Sequence, residues 1–175
     1  PTAAIVAPGV IDARRCLAWL LQARGSFPRE FRVALGDRIY GCDDCQDACP
    51  ANRHADRRAS AAAANPEDEA WVDLAAIIAG DGDDLIERFG RWYIPRRDPR
   101  YIRRNALVAL GNSGDGHRAG VEEALNVALA DADPLIRAHA VWAAHQLGRD
   151  DLLAAVAGDR DPDVREELAL AGVAT

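Results

Sequence analysis

The stretch Cys42-Asp43-Asp44-Cys45-Gln46-Asp47-Ala48-Cys49-Pro50 places three cysteines within eight residues. Its spacing, C-x2-C-x3-C-P, is the ending of a motif whose thiolates hold iron–sulfur clusters. The usual motif has one more cysteine three residues earlier, but position 39 is Ile39. Cys16 is the only other cysteine in the chain. We therefore expect Cys16 to replace the absent ligand from an upstream helix.

The last cysteine of such a motif ligates the other cluster of a two-cluster pair, as in bacterial ferredoxins. Cys16, Cys42 and Cys45 are thus predicted to hold one 4Fe-4S cluster, and Cys49 to contribute to a second. Two clusters need about eight thiolates, whereas the chain has four. A single four-cysteine cluster and a structural zinc site remain as alternatives, although zinc sites favour two x2 pairs held apart.

The first residues favour the two-cluster alternative. The chain opens Pro1-Thr2-Ala3-Ala4 and has no Met. In a cluster motif of this type, a proline comes directly after the last cysteine, and Pro1 matches that proline. We therefore expect the chain to be a C-terminal fragment whose first cluster motif is missing.

Charge is distributed unevenly along the chain. The net charge is −7, all 21 basic residues are Arg, and no apolar run approaches the ~20 residues of a membrane span. These features predict a soluble, cytoplasmic protein and argue against wholesale nucleic-acid binding. Residues 86–105, however, carry seven Arg against Glu87 and Asp98. Such a concentration predicts either a phosphate-facing patch or an ordinary solvated helix face.

The N-terminal region is predicted to contain short elements. An apolar run at 4–7 followed by Pro-Gly indicates a strand and a turn. Asp12 is suited to cap a helix over 13–23, with Cys16 in its first turns and facing the core. A second helix is predicted over 29–35. Residues 1–52 are therefore interpreted as a ferredoxin-like double-cluster fragment, and residues 53–66 as a linker.

Residues 67–175 are predicted to form HEAT-like helical repeats, which makes the fold class mainly α. Three Ala/Leu-rich segments each follow an Asp-Pro pair. Such a pair predicts the start of a helix, because Asp caps free N–H groups and Pro suits a first helical turn. The pairs are Asp98-Pro99, Asp133-Pro134 and Asp161-Pro162. Repeats of this type stack into a slab with an extended binding face.

Three motifs together resemble the epoxyqueuosine reductase family. The first is Asp12-Ala13-Arg14-Arg15-Cys16, and the second is Gly41-Cys42-Asp43-Asp44-Cys45-Gln46-Asp47-Ala48-Cys49-Pro50-Ala51-Asn52. The third is Arg103-Arg104-Asn105-Ala106-Leu107-Val108-Ala109-Leu110-Gly111-Asn112. Their order and spacing extend the resemblance over nearly the whole chain.

The resemblance implies reduction of epoxyqueuosine to queuosine at the tRNA wobble position, with electrons passing through two 4Fe-4S clusters to cobalamin. It implies that the Cys42-Asp43 backbone approaches cobalamin, and that the catalytic acid belongs to an N-terminal domain absent from this chain. A monomer, reduced by a flavodoxin or a ferredoxin, is expected. By itself the fragment is expected to be inactive.

The resemblance also implies that the helical domain grips the anticodon arm of a tRNA. The residues expected to contact tRNA are Arg96, Arg97, Arg100, Arg103, Arg104 and Asn105. Trp92, Tyr93 and Tyr101 lie nearby, and their spacing predicts core positions rather than stacking on bases. Two alternative functions remain: a ferredoxin-type electron carrier fused to a helical protein-interaction module, and a zinc-stabilised scaffold.

Overall fold

Helices dominate the computed structural model, which describes residues 1–52 and 71–173. The prediction of a mainly α fold is confirmed, whereas the predicted linker at 53–66 lies outside the described residues. The strands form a two-stranded antiparallel hairpin of β1 (Ile5–Ala7) and β2 (Val10–Ile11). The predicted strand and turn are thus present, and the second strand is an addition. No helix of the described part is long and apolar enough to cross a membrane.

The predicted helix over 13–23 is interrupted at Cys16. A 3-10 turn (Ala13–Arg15) precedes it and α1 (Leu17–Gln22) follows it, while Cys16 itself is extended with φ −81° and ψ 116°. The Cys16 N–H donates to the Ala13 carbonyl at 3.0 Å and so closes the 3-10 turn. Cys16 is therefore the N-cap of α1, and the prediction that it lies inside the helix is wrong.

The cluster loop, residues 36–52, follows one short helix and contains another. The first is α2 (Arg29–Leu35), which ends as predicted at Gly36, where a φ of 64° favours glycine. The second is α3 (Asp44–Asp47), which contains Cys45. Residues 36–43 connect them and bring Cys42 to the start of α3.

The helical repeat region contains longer helices. They are α4 (Leu74–Ala79), α5 (Gly82–Arg88), α6 (Arg100–Gly111), α7 (Val121–Leu129), α8 (Pro134–Gln146) and α9 (Pro162–Leu170). Helix α6 packs against α8 and α4, and α8 also packs against α7 and α9. Short 3-10 segments at Pro95–Arg97 and Asp150–Val156 complete the connections.

The three Asp-Pro pairs begin helices as predicted. The Asp133 carboxylate accepts from the Leu135 N–H at 2.9 Å, and the Asp161 carboxylate accepts from the Asp163 N–H at 3.0 Å. At the first pair, Asp98 Oδ1 accepts from the Arg100 N–H at 3.1 Å. Each cap satisfies N–H groups that have no partner inside the helix.

Helix α6 lies at the centre of the molecule. It packs on one side against α1 and α2 of the cluster-binding region and on the other against the repeat helices. A helix in this position is buried on most faces, and Ala106 to Leu110 are entirely buried. At its C-terminal end, a Cβ on Gly111 would lie 2.5 Å from Trp142 Cζ3, so glycine permits the close approach of α8.

Candidate functional site

Three of the four cysteines line one cavity of about 250 Å³. Cys16 enters it from the N-cap of α1, Cys42 from the loop before α3, and Cys45 from α3 itself. The remaining wall is mostly apolar and includes residues 1–5 and the side chain of Ile11. The N-terminal segment therefore forms part of the cavity wall beside the thiols, a contribution that the sequence analysis missed.

Hydrogen bonds hold the cluster loop in place. Arg38 Nη2 lies 2.6 Å from Asp44 Oδ1, and its Nη1 donates to the Leu35 carbonyl at 2.9 Å. This arginine ties the first residue of α3 to the end of α2. At the other end of the loop, Asn52 Nδ2 donates to Gln46 Oε1 at 2.7 Å. The cysteine positions are thus set by polar contacts on both sides of α3.

Cys49 is not among the residues that line the cavity. Its N–H donates to the Gln46 carbonyl at 3.0 Å, just past the end of α3. Asp43 is exposed at the edge of the same loop. The cavity therefore gathers Cys16, Cys42 and Cys45 and leaves the cysteine before Pro50 on a separate part of the loop.

The donors around the cavity fit an iron–sulfur cluster, because three thiols from three parts of the chain line it. A 4Fe-4S cluster takes its thiolates at separate corners, which suits thiols distributed around a cavity.

The six residues expected to contact tRNA occupy different environments. Arg96 and Arg97 are exposed, and both have left-handed backbone, with φ 55° and 53°. Arg100 forms ion pairs with Asp98 at 2.7 Å and with Asp133 at 3.3 Å. Only the first two arginines thus extend into solvent without an ion pair among the described residues.

Arg103 is half-buried, and its guanidinium donates to the Gly80 carbonyl between α4 and α5. The next residue, Arg104, lies about 100° further round the helix and contacts a different part of the chain. The charged run in the sequence is therefore divided between the surface and the interior.

Arg104 and Asn105 lie in the interior, and the prediction that they contact tRNA is wrong. Arg104 is 0% exposed and donates to carbonyl oxygens at the end of α1 and beyond it. The acceptors are Leu20 (3.3 Å), Leu21 (3.0 Å), Ala23 (2.8 Å) and Gly25 (2.7 Å). The last carbonyls of a helix lack intrahelical partners and carry partial negative charge, so a buried cation satisfies them.

Asn105 joins the two segments that lead to the cavity. Its Nδ2 donates to the Leu21 and Ile39 carbonyls, both at 3.0 Å. On the same helix, Asn112 Nδ2 donates to the Arg32 and Gly36 carbonyls at 2.8 and 2.9 Å. Helix α6 therefore caps both α1 and α2, and polar residues in its otherwise apolar sequence were the signal for this role.

Two buried polar groups connect the repeat helices to α2. The Glu167 carboxylate forms ion pairs with Arg29 and with Arg32, the latter at 2.7 Å. His139 is fully buried: its Nδ1 donates to the Leu135 carbonyl at 2.7 Å, and its Nε2 accepts from the Phe27 N–H at 3.1 Å. This arrangement requires the neutral imidazole.

Burial dominates the electrostatics of this interior. Desolvation lowers the pKa of His139 well below its usual range, and the positive charges of Arg32 and Arg104 lower it further. Desolvation also lowers the pKa of Arg104 to about 10. At neutral pH the arginine therefore remains charged and the histidine remains neutral.

Comparisons with known proteins agree with this organisation. Residues 1–52 match the family of 4Fe-4S double cluster binding domains, and residues 93–171 match HEAT repeats. The epoxyqueuosine reductase of Bacillus subtilis (strain 168) is 32% identical over 177 residues, which cover 96% of this chain and 44% of that protein. The epoxyqueuosine reductase of Shewanella oneidensis is 36% identical, and the match covers 87% of this chain and 39% of that protein.

A solved structure has the same fold. The crystal structure of an epoxyqueuosine reductase with an epoxyqueuosine-modified tRNA stem loop matches with a TM-score of 0.81 and 31% identity. The match covers 98% of this chain and 46% of that one. The chain thus spans less than half the length of these relatives, with a double-cluster domain followed by HEAT repeats. This chain belongs to the epoxyqueuosine reductase family.

Proposed function

We propose that this chain supplies the iron–sulfur clusters and part of the tRNA-binding surface of an enzyme that reduces epoxyqueuosine to queuosine at the wobble position. The relatives that carry this name support the proposal. Removal of the epoxide oxygen as water takes two electrons and two protons. The clusters held by this chain would deliver the electrons, while the proton donor is expected in the N-terminal region of the whole enzyme.

One observation carries the ligand assignment: three thiols line a common cavity and Cys49 lies outside that lining. Accordingly, Cys16, Cys42 and Cys45 hold one 4Fe-4S cluster and Cys49 contributes to the other. When bound, the clusters supply single electrons from a flavodoxin or ferredoxin, and cobalamin supplies a reducing centre at the epoxide. Asp43 is exposed and the adjacent Cys42 is half-buried, which is compatible with an approach of cobalamin to this part of the loop.

Cluster reconstitution tests the assignment. The chain is loaded anaerobically with iron and sulfide, and bound iron, bound sulfide and the electron paramagnetic resonance signal are measured after reduction. Cys45→Ser is expected to lose the cavity cluster, whereas Cys49→Ser keeps it. Equal loss in both variants would show that all four cysteines share one site. Tight binding of one zinc without sulfide uptake would instead support a zinc-stabilised scaffold.

The proposed tRNA contacts rest on exposure and geometry. Arg96 and Arg97 are exposed in the segment before α6, and the Arg97 guanidinium makes one hydrogen bond, to the Ile86 carbonyl at 3.4 Å. An arginine fork binds two phosphate oxygens at once, and phosphate contacts position a protein on a nucleic acid. Arg100 and Arg103 remain candidates at the edge of this surface, since each already has protein partners.

A binding measurement with an epoxyqueuosine-modified anticodon stem loop tests the tRNA surface. Arg97→Gln is expected to weaken binding and to reduce the slope of log affinity against log salt by about one. Arg165→Gln is the matched control, because Arg165 is exposed on α9. It should leave both the affinity and the salt slope unchanged. Unaltered binding by the Arg97 variant, or no binding by the unmodified chain, would favour an electron carrier fused to a protein-interaction module.

A further inference from the structure

A second cavity, of about 570 Å³, lies between the cluster loop and the repeat helices. This volume is within the ~300–1,000 Å³ typical of ligand sites. Residues from four parts of the chain line it: the segment before Cys42, the start of α4, the segment after α5, and the loop after α6. The thiol cavity has a different set of lining residues, so the two cavities are separate.

Aromatic side chains form one wall of this groove. Tyr40 and Trp92 stack with ring centroids 4.8 Å apart and an interplanar angle of 3°. Trp92 also stacks at 4.5 Å on Phe89, which is buried. The Tyr93 N–H donates to the Tyr40 hydroxyl at 2.9 Å, which fixes the orientation of the tyrosine. The stacked rings therefore form a flat aromatic wall.

Trp71 stands at the mouth of the groove and is 82% exposed. Tryptophan is rarely left this open to solvent, because its large apolar surface favours burial. An unstacked nucleic-acid base can stack on such a ring. The groove thus offers the exposed ring of Trp71 beside the stacked rings of Tyr40 and Trp92.

The charged residues of the lining are mainly positive. Arg38 is paired with Asp44 at 2.6 Å, and the two remaining guanidiniums, of Arg91 and Arg118, exceed the single carboxylate of Asp37 by one positive charge. Arg118 is exposed on the loop between α6 and α7. In a chain with a net charge of −7, this local excess attracts an anionic ligand.

The groove and the exposed arginines share one chain segment. Arg91 and Trp92 lie in the groove lining, Tyr93 is 62% exposed, and Arg96 and Arg97 follow in the same segment. If RNA phosphates bind Arg96 and Arg97, a neighbouring base would therefore lie near the aromatic wall. Aromatic rings interleaved with arginines are typical of surfaces that bind single-stranded RNA.

We propose that this groove binds an unpaired nucleotide of the tRNA loop, with its base stacked on Trp71 and its phosphate held by Arg118. The inference rests on the proposed tRNA function and adds a contact beyond Arg96 and Arg97. It also distinguishes the looped part of the RNA from the paired stem, because only an unpaired base can enter the groove.

Affinity measurements with two RNA probes test the inference. Trp71→Ala is expected to weaken binding of the anticodon stem loop about tenfold, which corresponds to the loss of one stacking contact, and Trp71→Phe to retain most of it. A blunt-ended RNA duplex of the same length should bind both variants like the unmodified chain. Trp19→Ala is the matched control, because Trp19 is 50% exposed on α1 and does not line the groove.

The outcomes separate this inference from the proposed function. Unchanged stem-loop affinity in Trp71→Ala, together with weakened binding in Arg97→Gln, would overturn the groove and leave the tRNA function intact. Equal losses for the stem loop and the duplex would also overturn it, as would a Trp71 shielded from a soluble quencher in the free chain. A chain that binds no RNA would remove both proposals.

Discussion

Replacing Arg104 with Met tests whether this arginine is structural. The substitution keeps the length and apolar stem of the side chain but removes every donor. Leu20 and Leu21 keep other hydrogen bonds, from the Ala23 N–H and from Asn105. The Ala23 and Gly25 carbonyls lose the arginine at 2.8 and 2.7 Å.

The buried Asn105 Oδ1 also loses both of its hydrogen bonds from Arg104. One buried acceptor without a partner, at about 2 kcal/mol, and two lost hydrogen bonds to the less buried Ala23 and Gly25 carbonyls, at about 0.5 kcal/mol each, predict a loss of about 3 kcal/mol in the free energy of unfolding. The effect should extend to the cluster site, because α1 begins at Cys16. A cluster bound by Arg104→Met is therefore expected to be released faster on exposure to a chelator. The neighbouring Arg103→Met is the control, since Arg103 contacts the repeat helices and not α1.

Urea unfolding followed by circular dichroism gives the stability, and titration of the stem loop at several salt concentrations gives the RNA affinity. We expect Arg104→Met to lower stability while leaving the salt slope of RNA binding unchanged. The reasoning fails if Arg104→Met is as stable as the unmodified chain and loses about one unit of salt slope. In that case Arg104 would be a phosphate contact, as the charged run in the sequence first indicated.

Three further predictions concern other buried or capping groups, and each is measured by urea unfolding. His139 is neutral in the folded chain, with a pKa well below 6.5, so unfolding takes up a proton below that pH. The free energy of unfolding should therefore be constant above pH 6.5 and fall by up to ~1.4 kcal/mol per pH unit below it. This slope should disappear in His139→Gln. Glu167→Gln leaves Arg32 buried without its carboxylate and should cost about 3 kcal/mol; a loss under ~0.5 kcal/mol would show that the ion pair is dispensable. Asp161→Ala removes the N-cap of α9 and should cost about 1 kcal/mol, whereas the exposed Glu166→Ala should change little, and equal effects would contradict a capping role.

Local patterns in the sequence were reliable where neighbouring residues set the structure. The Asp-Pro pairs begin α6, α8 and α9, because a carboxylate and the N–H groups it caps lie within three residues of each other. Helix α2 also ends as predicted, because the adjacent residue, Gly36, sets the end of the helix. The cysteine spacing likewise indicated cluster chemistry, since Cys42 and Cys45 are three residues apart and line the same cavity.

The interruption at Cys16 shows where local patterns were insufficient. Apolar periodicity over 13–23 is compatible with a single helix, but a 3-10 turn closes at the Ala13 carbonyl and a new helix begins after Cys16. The approach of the N-terminal segment to the thiol cavity also depends on a hairpin that pairs residues outside this stretch.

The number and kind of charges near the start of α6 could be read from the residues alone, but their directions could not. Arg103 and Arg104 are adjacent and chemically identical, yet one contacts the repeat helices and the other is buried beneath α1. The difference arises because unpaired carbonyls at the end of α1 meet only one side of α6, about 80 residues away in sequence. Spacing along the chain therefore indicated the cluster chemistry and the helical repeats, whereas contacts between distant segments separated the arginines of the interior from those available to RNA.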